Sequence, residues 1–162
     1  MQTIELPVTT TDGEFIARYS DKGLTGLNFP KAGRVSPRAV GLRIPAPIRK
    51  WHRFTATAVK AILAGRDPKA FPPLDLDGTD FQKSVWRALR KISAGKTKSY
   101  GEIAQAIGRP KAVRAVGGAC GANPIPVLVP CHRVLAANKK LGGFSSGLDW
   151  KVKLLAREGV RW

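Results

Sequence analysis

Polar and apolar residues alternate along the first thirty positions of the chain, and turn signals divide this stretch into three segments. Asp12-Gly13 and Asp21-Lys22-Gly23 separate the segments, which cover residues 4–8, 14–19 and 24–29. Alternation with a period of two is typical of strands that bury one face, and Asp-Gly pairs favour tight hairpin turns. The pattern therefore predicts a small antiparallel β-meander.

The hydrophobic period changes to that of a helix in the next part of the chain. Apolar side chains recur every three or four positions, at Trp51, Phe54, Ala58, Ile62 and Leu63. This spacing predicts an amphipathic helix that ends near Gly65. Residues 30–50, before it, contain six basic and no acidic residues among prolines and glycines, which favours a solvated loop. Residues 67–73, after it, contain three prolines and cannot continue a helix. We therefore expect two domains, 1–76 and 77–162.

Two capping boxes mark helix starts in the second half. Thr79 is followed three residues later by Gln82, and Ser99 is followed three residues later by Glu102. In such a box the hydroxyl and the Gln or Glu side chain bond each other's backbone N–H groups, so each pair predicts the start of a helix. The first of these helices carries apolar residues as far as Ile92.

A helix-turn-helix is expected next. Gly108 is a natural end for the second of these helices, and Pro110 is suited to the first position of a third. Two short helices joined by a glycine turn are typical of this motif. Residues 127–129 are predicted to form a buried strand, residues 138–143 a loop or wing, and residues 147–158 a closing helix. The apolar face of that helix is formed by Leu148, Val152 and Leu155.

Together these elements predict an α+β fold. A small N-terminal antiparallel β-meander and its helix would form one domain. A C-terminal winged helix-turn-helix-like domain carrying Cys131 would form the other. No apolar stretch approaches the length of a membrane span, the N-terminus lacks the pattern of a signal peptide, and two cysteines are too few for a disulfide framework. We therefore expect a protein of a reducing compartment, with no membrane partner.

The charge of the chain indicates a polyanionic partner. There are 28 Lys and Arg residues against 11 Asp and Glu residues, a net charge of +17, and residues 79–162 account for +12 of it. Nucleic acid is the commonest partner of such a surface. The alternative is a basic surface that serves only solubility. The basic excess lies in the same half as the predicted helix-turn-helix, which favours nucleic acid.

Cys131 is the candidate nucleophile. Pro130 and His132 flank it, and Arg133 follows. A thiol becomes a good nucleophile as the thiolate, and a neighbouring base or positive charge lowers its pKa. His132 supplies a base and Arg133 a positive charge. The alternative is that Cys131 is a small buried apolar residue, as most free cysteines are.

Zinc binding and cysteine-protease chemistry are both disfavoured. Cys120, Cys131 and His132 contain no pair of cysteines at zinc-ligand spacing, and His52 lies in the other half on a predicted core-facing helix. Packing is the expected role of Cys120. A protease needs a histidine brought from elsewhere in the fold, because a ring adjacent in sequence aligns poorly with the thiol. A water between thiol and imidazole removes that difficulty and favours a relay.

Several motifs of the second half closely resemble the O6-alkylguanine-DNA alkyltransferases, also called methylated-DNA–protein-cysteine methyltransferases. The resemblance covers roughly residues 79–159. It rests on Tyr100-Gly101-Glu102-Ile103-Ala104, Arg114-Ala115-Val116-Gly117-Gly118-Ala119, Asn123-Pro124, Pro130-Cys131-His132-Arg133-Val134 and the helix over residues 151–159. The Pro-Cys-His-Arg-Val run behind a helix-turn-helix is the most specific of them.

The resemblance implies a suicide reaction, with no cofactor and no metal. Cys131 would accept the alkyl group irreversibly, while His132 would take the thiol proton through a water and Glu158 would orient the imidazole. Tyr100 would assist departure of the guanine, and Asn123 would tie the helix-turn-helix to the cysteine segment. Each role fits general-base and nucleophilic catalysis.

The resemblance also implies how DNA is bound. The substrate would be O6-alkylguanine, and also O4-alkylthymine, flipped out of double-stranded DNA that is approached from the minor groove. Arg114 would fill the space of the extruded nucleotide, Ser145 and Val134 would contact the base, and Lys111 would contact phosphate. The protein would act as a monomer in the cytoplasm, on the nucleoid of a prokaryote or in the nucleus of a eukaryote.

Two further functions are compatible with the charge and the helix-turn-helix. One is a non-catalytic lesion-binding protein, like the alkyltransferase-like proteins that carry Trp at the cysteine position. The other is a helix-turn-helix regulator, which would leave the Pro-Cys-His-Arg-Val run unexplained. The presence of Cys131 favours the enzyme.

Overall fold

The computed structural model describes residues 2–33 and 43–162 and has the predicted α+β architecture. Its strands are β1 (Ile4–Thr10), β2 (Gly13–Tyr19), β3 (Leu24–Asn28), β4 (Lys98–Ser99) and β5 (Val134–Leu135). Its helices are α1 (Ala46–Leu63), α2 (Asp80–Leu89), α3 (Tyr100–Ala106), α4 (Val113–Gly121) and α5 (Leu148–Arg157). Short 3₁₀ turns occupy Cys131–Arg133 and Ala137–Lys139.

The predicted meander is confirmed. Strands β1, β2 and β3 form an antiparallel sheet in chain order, and Thr10 pairs with Gly13 across the first turn. Gly13 has a φ of 112°, a conformation that a residue with a side chain rarely adopts. The alternation places Phe15, Ala17 and Tyr19 in the core.

Helix α1 begins at Ala46, several residues earlier than the hydrophobic spacing suggests, so the predicted loop over residues 30–50 is wrong at its end. Pro47 lies in the first turn of the helix, where the missing N–H has no intrahelical partner to lose. Ile48 extends the buried face of the helix by one turn. Residues 34–42 of the predicted loop lie outside the described residues.

Both capping boxes are present. The Gln82 N–H donates to Thr79 Oγ1 at 3.1 Å, and the Thr79 N–H donates to Gln82 Oε1 at 2.9 Å; Ser99 and Glu102 repeat this arrangement. Helix α2 ends earlier than predicted, at Leu89. Ile92 nevertheless remains buried, in the turn that follows.

The helix-turn-helix consists of α3 and α4, but α4 begins at Val113 and not at Pro110. The N–H of Ala112 donates to the carbonyl of Arg109 at 2.9 Å, so residues 109–112 close a turn of their own. Pro110 therefore precedes the helix. The suitability of a proline for a first helical position did not decide where the helix starts.

The apolar run at residues 127–129 is buried, but the predicted strand is wrong. Val127 has a φ of 74°, and the Val129 N–H donates to Ile125 O at 2.9 Å, so the segment is a compact turn. Its side chains are enclosed on all sides without pairing to a sheet. A short apolar run does not distinguish these two forms of burial.

Helix α5 matches its predicted span to within one residue at each end, whereas its buried face is shifted. Lys151, Leu154 and Leu155 are buried, and Leu148 is 47% exposed.

The halves of the chain share one hydrophobic core, in which the rings of Phe29 and Trp150 lie 4.8 Å apart. The division at residue 76 remains a prediction. Within the described residues, no helix has the length and apolar character needed to span a membrane.

Candidate active site

Asn123 holds the segment that leads to Cys131. Its Nδ2 donates to Val129 O at 2.8 Å, and its Oδ1 accepts from the Ile125 N–H at 2.9 Å. One side chain at the end of α4 thus braces both ends of the buried turn. The Cys131 N–H donates to Val129 O at 2.8 Å and starts the 3₁₀ turn. The chain therefore presents the thiol at a defined position next to the helix-turn-helix.

A cavity of about 670 Å³ lies above the thiol. It separates α4 from the loop that precedes α5. Its walls are formed by Tyr100, Val113, Arg114, Gly117, Cys120, Gly121, Cys131, Gly143, Phe144 and Ser145. The cavity is mostly apolar and carries Arg114 and Ser145 at exposed positions. Its volume and its mostly apolar lining are typical of a small-molecule site.

His132 and Glu158 form a buried pair behind the cysteine. His132 Nε2 lies 3.0 Å from Glu158 Oε2, and both side chains are fully buried. An ionised carboxylate only accepts hydrogen bonds, so Nε2 carries the proton of the neutral ring. His132 Nδ1 is buried and has no hydrogen-bond partner among the described residues. The neutral ring therefore presents a free lone pair at Nδ1.

Burial favours a neutral histidine in this pair, and hydrogen bonding favours an ionised glutamate. Burial lowers the pKa of His132, although the bond to Glu158 opposes that shift. Burial alone would raise the pKa of Glu158, but hydrogen bonds from His132 and Arg133 outweigh it and lower the pKa to about 2. His132 is thus an unprotonated base at neutral pH, and it is held in place by the ionised carboxylate of Glu158.

Arg133 supplies most of the bonding to that carboxylate. Its Nε donates to Glu158 Oε1 at 2.9 Å, and another guanidinium nitrogen donates to Glu158 Oε2 at 2.8 Å. Its remaining nitrogen donates to Ile92 O at 2.6 Å and lies 3.1 Å from Asp67 Oδ1. The sequence suggested a positive field for Arg133, whereas the structure shows a buried guanidinium that fixes Glu158.

Lys151 is a buried cation that the sequence analysis did not single out. Its Nζ donates to Val134 O at 2.7 Å and to Gly143 O at 3.3 Å. Burial raises the pKa of the Cys131 thiol, and a hydrogen bond from Asn123 and the charge of Lys151 oppose this shift. The available signal was a lysine on the face of α5 that also carries Leu154 and Leu155.

Tyr100 and Cys120 line the cavity on the helix-turn-helix side. Burial raises the pKa of Tyr100 to about 12, so its hydroxyl stays protonated and can donate a hydrogen bond. Burial raises the pKa of Cys120 to about 12 as well. Of the two thiols that line the cavity, only Cys131 is adjacent to the His132–Glu158 pair.

The other predicted site residues lie at different distances from the cavity. Arg114 and Ser145 line its mouth, as noted above. Lys111 is exposed in the turn before α4 and does not line the cavity. Val134 is fully buried, does not line the cavity, and offers its carbonyl to Lys151. The described residues contain no group of three or more His, Cys, Asp or Glu side chains arranged to hold a metal.

Comparison with known proteins shows which family and which solved structures this chain resembles. Residues 80–160 match the model of the 6-O-methylguanine DNA methyltransferase, DNA binding domain. The methylated-DNA–protein-cysteine methyltransferase of Methanosarcina acetivorans is 42% identical over 150 residues, which cover 91% of this chain and 92% of that protein. The Mycobacterium tuberculosis O6-methylguanine methyltransferase has a similar structure, with a TM-score of 0.74, 36% identity and coverage of 97% and 93%. The OGT of the same organism, crystallised in complex with DNA, gives a TM-score of 0.72 at 37% identity, with coverage of 96% and 92%.

Proposed function

The chain belongs to the 6-O-methylguanine DNA methyltransferase family, and from this membership we propose that it repairs alkylated DNA by moving the alkyl group to its own Cys131. One observation carries the assignment of the site. Cys131 lines a cavity and is adjacent to a neutral imidazole. The Nδ1 of that ring has no partner in the described part of the chain, and its Nε2 donates to ionised Glu158. Such an arrangement activates a thiol without a metal or cofactor.

The proposed reaction is a displacement at the alkyl carbon. A water bridges the thiol and His132 Nδ1 and carries the thiol proton to the imidazole. The thiolate of Cys131 then forms a bond to the alkyl carbon, and the bond from that carbon to O6 of guanine breaks. The bonding electrons leave with the guanine, which accepts a hydrogen bond or proton from Tyr100. O4-alkylthymine presents the same ether on a smaller ring and is proposed as a second substrate.

The target nucleotide must leave the duplex for this reaction, because an O6 substituent inside the base stack is out of reach of a buried thiol. Arg114 lies at the cavity mouth on α4, where it can take the place of the extruded nucleotide in the stack. Ser145 faces it from the opposite loop and can bond the base. Lys111 precedes the same helix and is proposed to contact phosphate. The chain is proposed to act as a monomer.

The glycines of α4 support approach from the minor groove. A Cβ added at Gly117, Gly118 or Gly121 would meet nothing within 4 Å among the described residues, so internal packing does not require them. Each glycine nevertheless costs a helix about 0.5–1 kcal/mol relative to alanine. The three glycines leave part of one face of α4 without side chains, and this slim face suits close contact with an external surface. The minor groove, only about 6 Å wide, is such a surface.

The test of the proposed function is the stoichiometry of alkyl transfer. Among the described residues, no group that lines the cavity with Cys131 is suited to cleave a thioether, so one molecule should repair one lesion. After incubation with duplex DNA containing O6-methylguanine, the intact mass of the protein should rise by one methyl group in exchange for one proton. Peptide mapping should locate the methyl on Cys131, and Cys131→Ser should gain none. Repeated turnover, or methyl on Cys120, would contradict the proposal.

The slim face of α4 gives a prediction in which stability and binding change in opposite directions. Gly118→Leu places a strong helix former where the side chain has open space, so the melting temperature should rise. The added side chain should also hold the helix away from DNA and weaken duplex affinity about 10-fold, which corresponds to about 1.4 kcal/mol. Thermal unfolding and fluorescence anisotropy measure the two effects.

The matched control is Gln105→Leu, which adds the same side chain to an exposed position of α3. It should leave duplex affinity unchanged. If Gly118→Leu binds duplex DNA as tightly as the unmodified protein, α4 does not approach DNA closely.

A further inference from the structure

The N-terminal half contacts the end of α5 immediately before Glu158. Arg157 forms two hydrogen bonds to Asp12 in the turn between β1 and β2, both 2.6 Å long. The same guanidinium donates to Leu63 O at the end of α1 at 3.3 Å. These bonds lower the pKa of Asp12 and raise the pKa of Arg157, so the pair stays charged. The residue preceding Glu158 is thereby fixed to two elements of the N-terminal half.

Gly65 brings α1 and α5 into direct backbone contact at the same point. A Cβ at Gly65 would clash with the backbone oxygen of Arg157 and would lie 3.4 Å from Glu158 N, at ordinary contact distance. Gly65 also has a φ of 81°, so its lack of a side chain serves both the turn and the contact. The backbone of Glu158 thus rests against the end of α1.

A second ion pair connects the N-terminal half to the other partner of Glu158. Asp67, just after α1, lies 3.1 Å from the guanidinium of Arg133 and accepts the N–H of Ala94 at 2.9 Å. Arg133 in turn binds the carboxylate of Glu158. The backbone and the carboxylate of Glu158 therefore each depend on a contact from the first 67 residues.

We propose that Asp12, Arg157 and Gly65 are positioning residues for the catalytic relay, through which the N-terminal half sets the position of Glu158 and hence the basicity of His132. The inference rests on the proposed function, since it needs His132 to act as the base. It assigns the meander and α1 a role in the chemistry although none of their residues lines the cavity. Glu158 is the C-cap residue of α5, directly after its last turn, where fraying would otherwise move it.

The test uses the full chain and O6-methylguanine as the free base, so that DNA contacts do not contribute. Asp12→Asn removes the negative charge that faces Arg157 and keeps the shape of the side chain. Single-turnover transfer near neutral pH should become about 10-fold slower, because misplacing a catalytic group by about 1 Å costs up to about 10²-fold. The loss should shrink toward high pH, where the thiol ionises without a base. Glu5→Gln, which removes the Glu5–Arg18 pair of the same sheet, is the control and should leave the rate unchanged.

Gly65→Ala provides a second, independent variant. Its control is Gly108→Ala, since Gly108 has a similar φ of 75° but open space around its Cβ. Both substitutions strain a left-handed residue and should lower the melting temperature, Gly65→Ala by more because its Cβ also meets the backbone of α5. Measured where both variants are folded, only Gly65→Ala should slow transfer.

The decisive measurement repeats Asp12→Asn in a His132→Ala background. A residue that acts through Glu158 and His132 has no further effect once the imidazole is removed. The transfer rates of His132→Ala and of the double variant should therefore be equal. A loss that persists in this background, or equal losses in the controls, would overturn the positioning role. If His132→Ala itself causes no loss, the relay of the proposed function is wrong, and this inference fails with it.

Discussion

Replacing His132 by alanine is expected to slow single-turnover transfer near neutral pH by about 10²–10⁴-fold, the range typical of losing a general base. Burial raises the pKa of Cys131, so the thiol is protonated at neutral pH and needs a base. Burial lowers the pKa of His132, which keeps the ring neutral and able to accept that proton. The bond to Glu158 then stabilises the imidazolium that forms.

The pH dependence follows from these directions. In the unmodified protein the rate should fall only below the ordinary histidine pKa of about 6.5. In His132→Ala the rate should instead rise with pH and recover above about pH 8.5, the pKa of a free cysteine, because burial delays ionisation of the thiol. Glu158, with a pKa of about 2, stays ionised throughout this range.

Single-turnover rates from about pH 6 to about pH 10, which spans the histidine and cysteine pKa values, test this prediction. The matched control is His52→Ala. His52 is the chain's other histidine, and it bonds Tyr19 and Pro7 O in the N-terminal half, away from the cavity. The control should keep the pH profile of the unmodified protein. A His132→Ala profile that is parallel to the unmodified one at every pH would show that the ring does not act as the base.

Arg114→Ala is expected to slow transfer from duplex DNA by up to about 10²-fold, and to have little effect on transfer from the free base. Extruding a nucleotide costs a few kcal/mol of stacking and pairing, and each 1.4 kcal/mol corresponds to about a factor of ten. The Arg114 side chain at the cavity mouth offsets this cost by taking the place of the extruded nucleotide, which requires a duplex. The loss should be independent of pH, because Arg114 does not contact the relay.

The ratio of duplex to free-base rates at saturating DNA measures this effect directly. Arg109→Ala removes a neighbouring exposed positive charge that does not line the cavity, and it should weaken affinity without changing the ratio. Equal losses on duplex and free base in Arg114→Ala would assign the arginine to the structure of α4 instead of to base extrusion.

Local signals in the sequence determined the elements of this fold. The period-two alternation of residues 4–29 predicted the strands that form the antiparallel sheet. The two capping boxes satisfy backbone donors within a single turn, so they depend only on neighbouring residues. The Pro-Cys-His-Arg-Val run likewise predicted Cys131 and His132 as site residues from adjacent positions alone. The strand predicted over residues 127–129 is wrong, because the segment is buried as a compact turn. Only the packed molecule distinguishes a buried turn from a buried strand.

The sequence alone also indicated most of the residue types in the candidate active site, but the tertiary structure decided which of them bond to one another. Glu158 lies 26 residues from His132, and its carboxylate acquires its partners only when α5 packs behind the cysteine turn. A lysine is expected at the surface, and only the tertiary structure shows Lys151 buried with its Nζ bonded to Gly143 O. Asp12 and Arg157 are separated by 145 positions, so no periodicity or motif links them. The reason is physical: hydrophobic spacing and capping act over a few residues, whereas the pKa values and bonds of the relay depend on burial and on charges brought together by the whole fold.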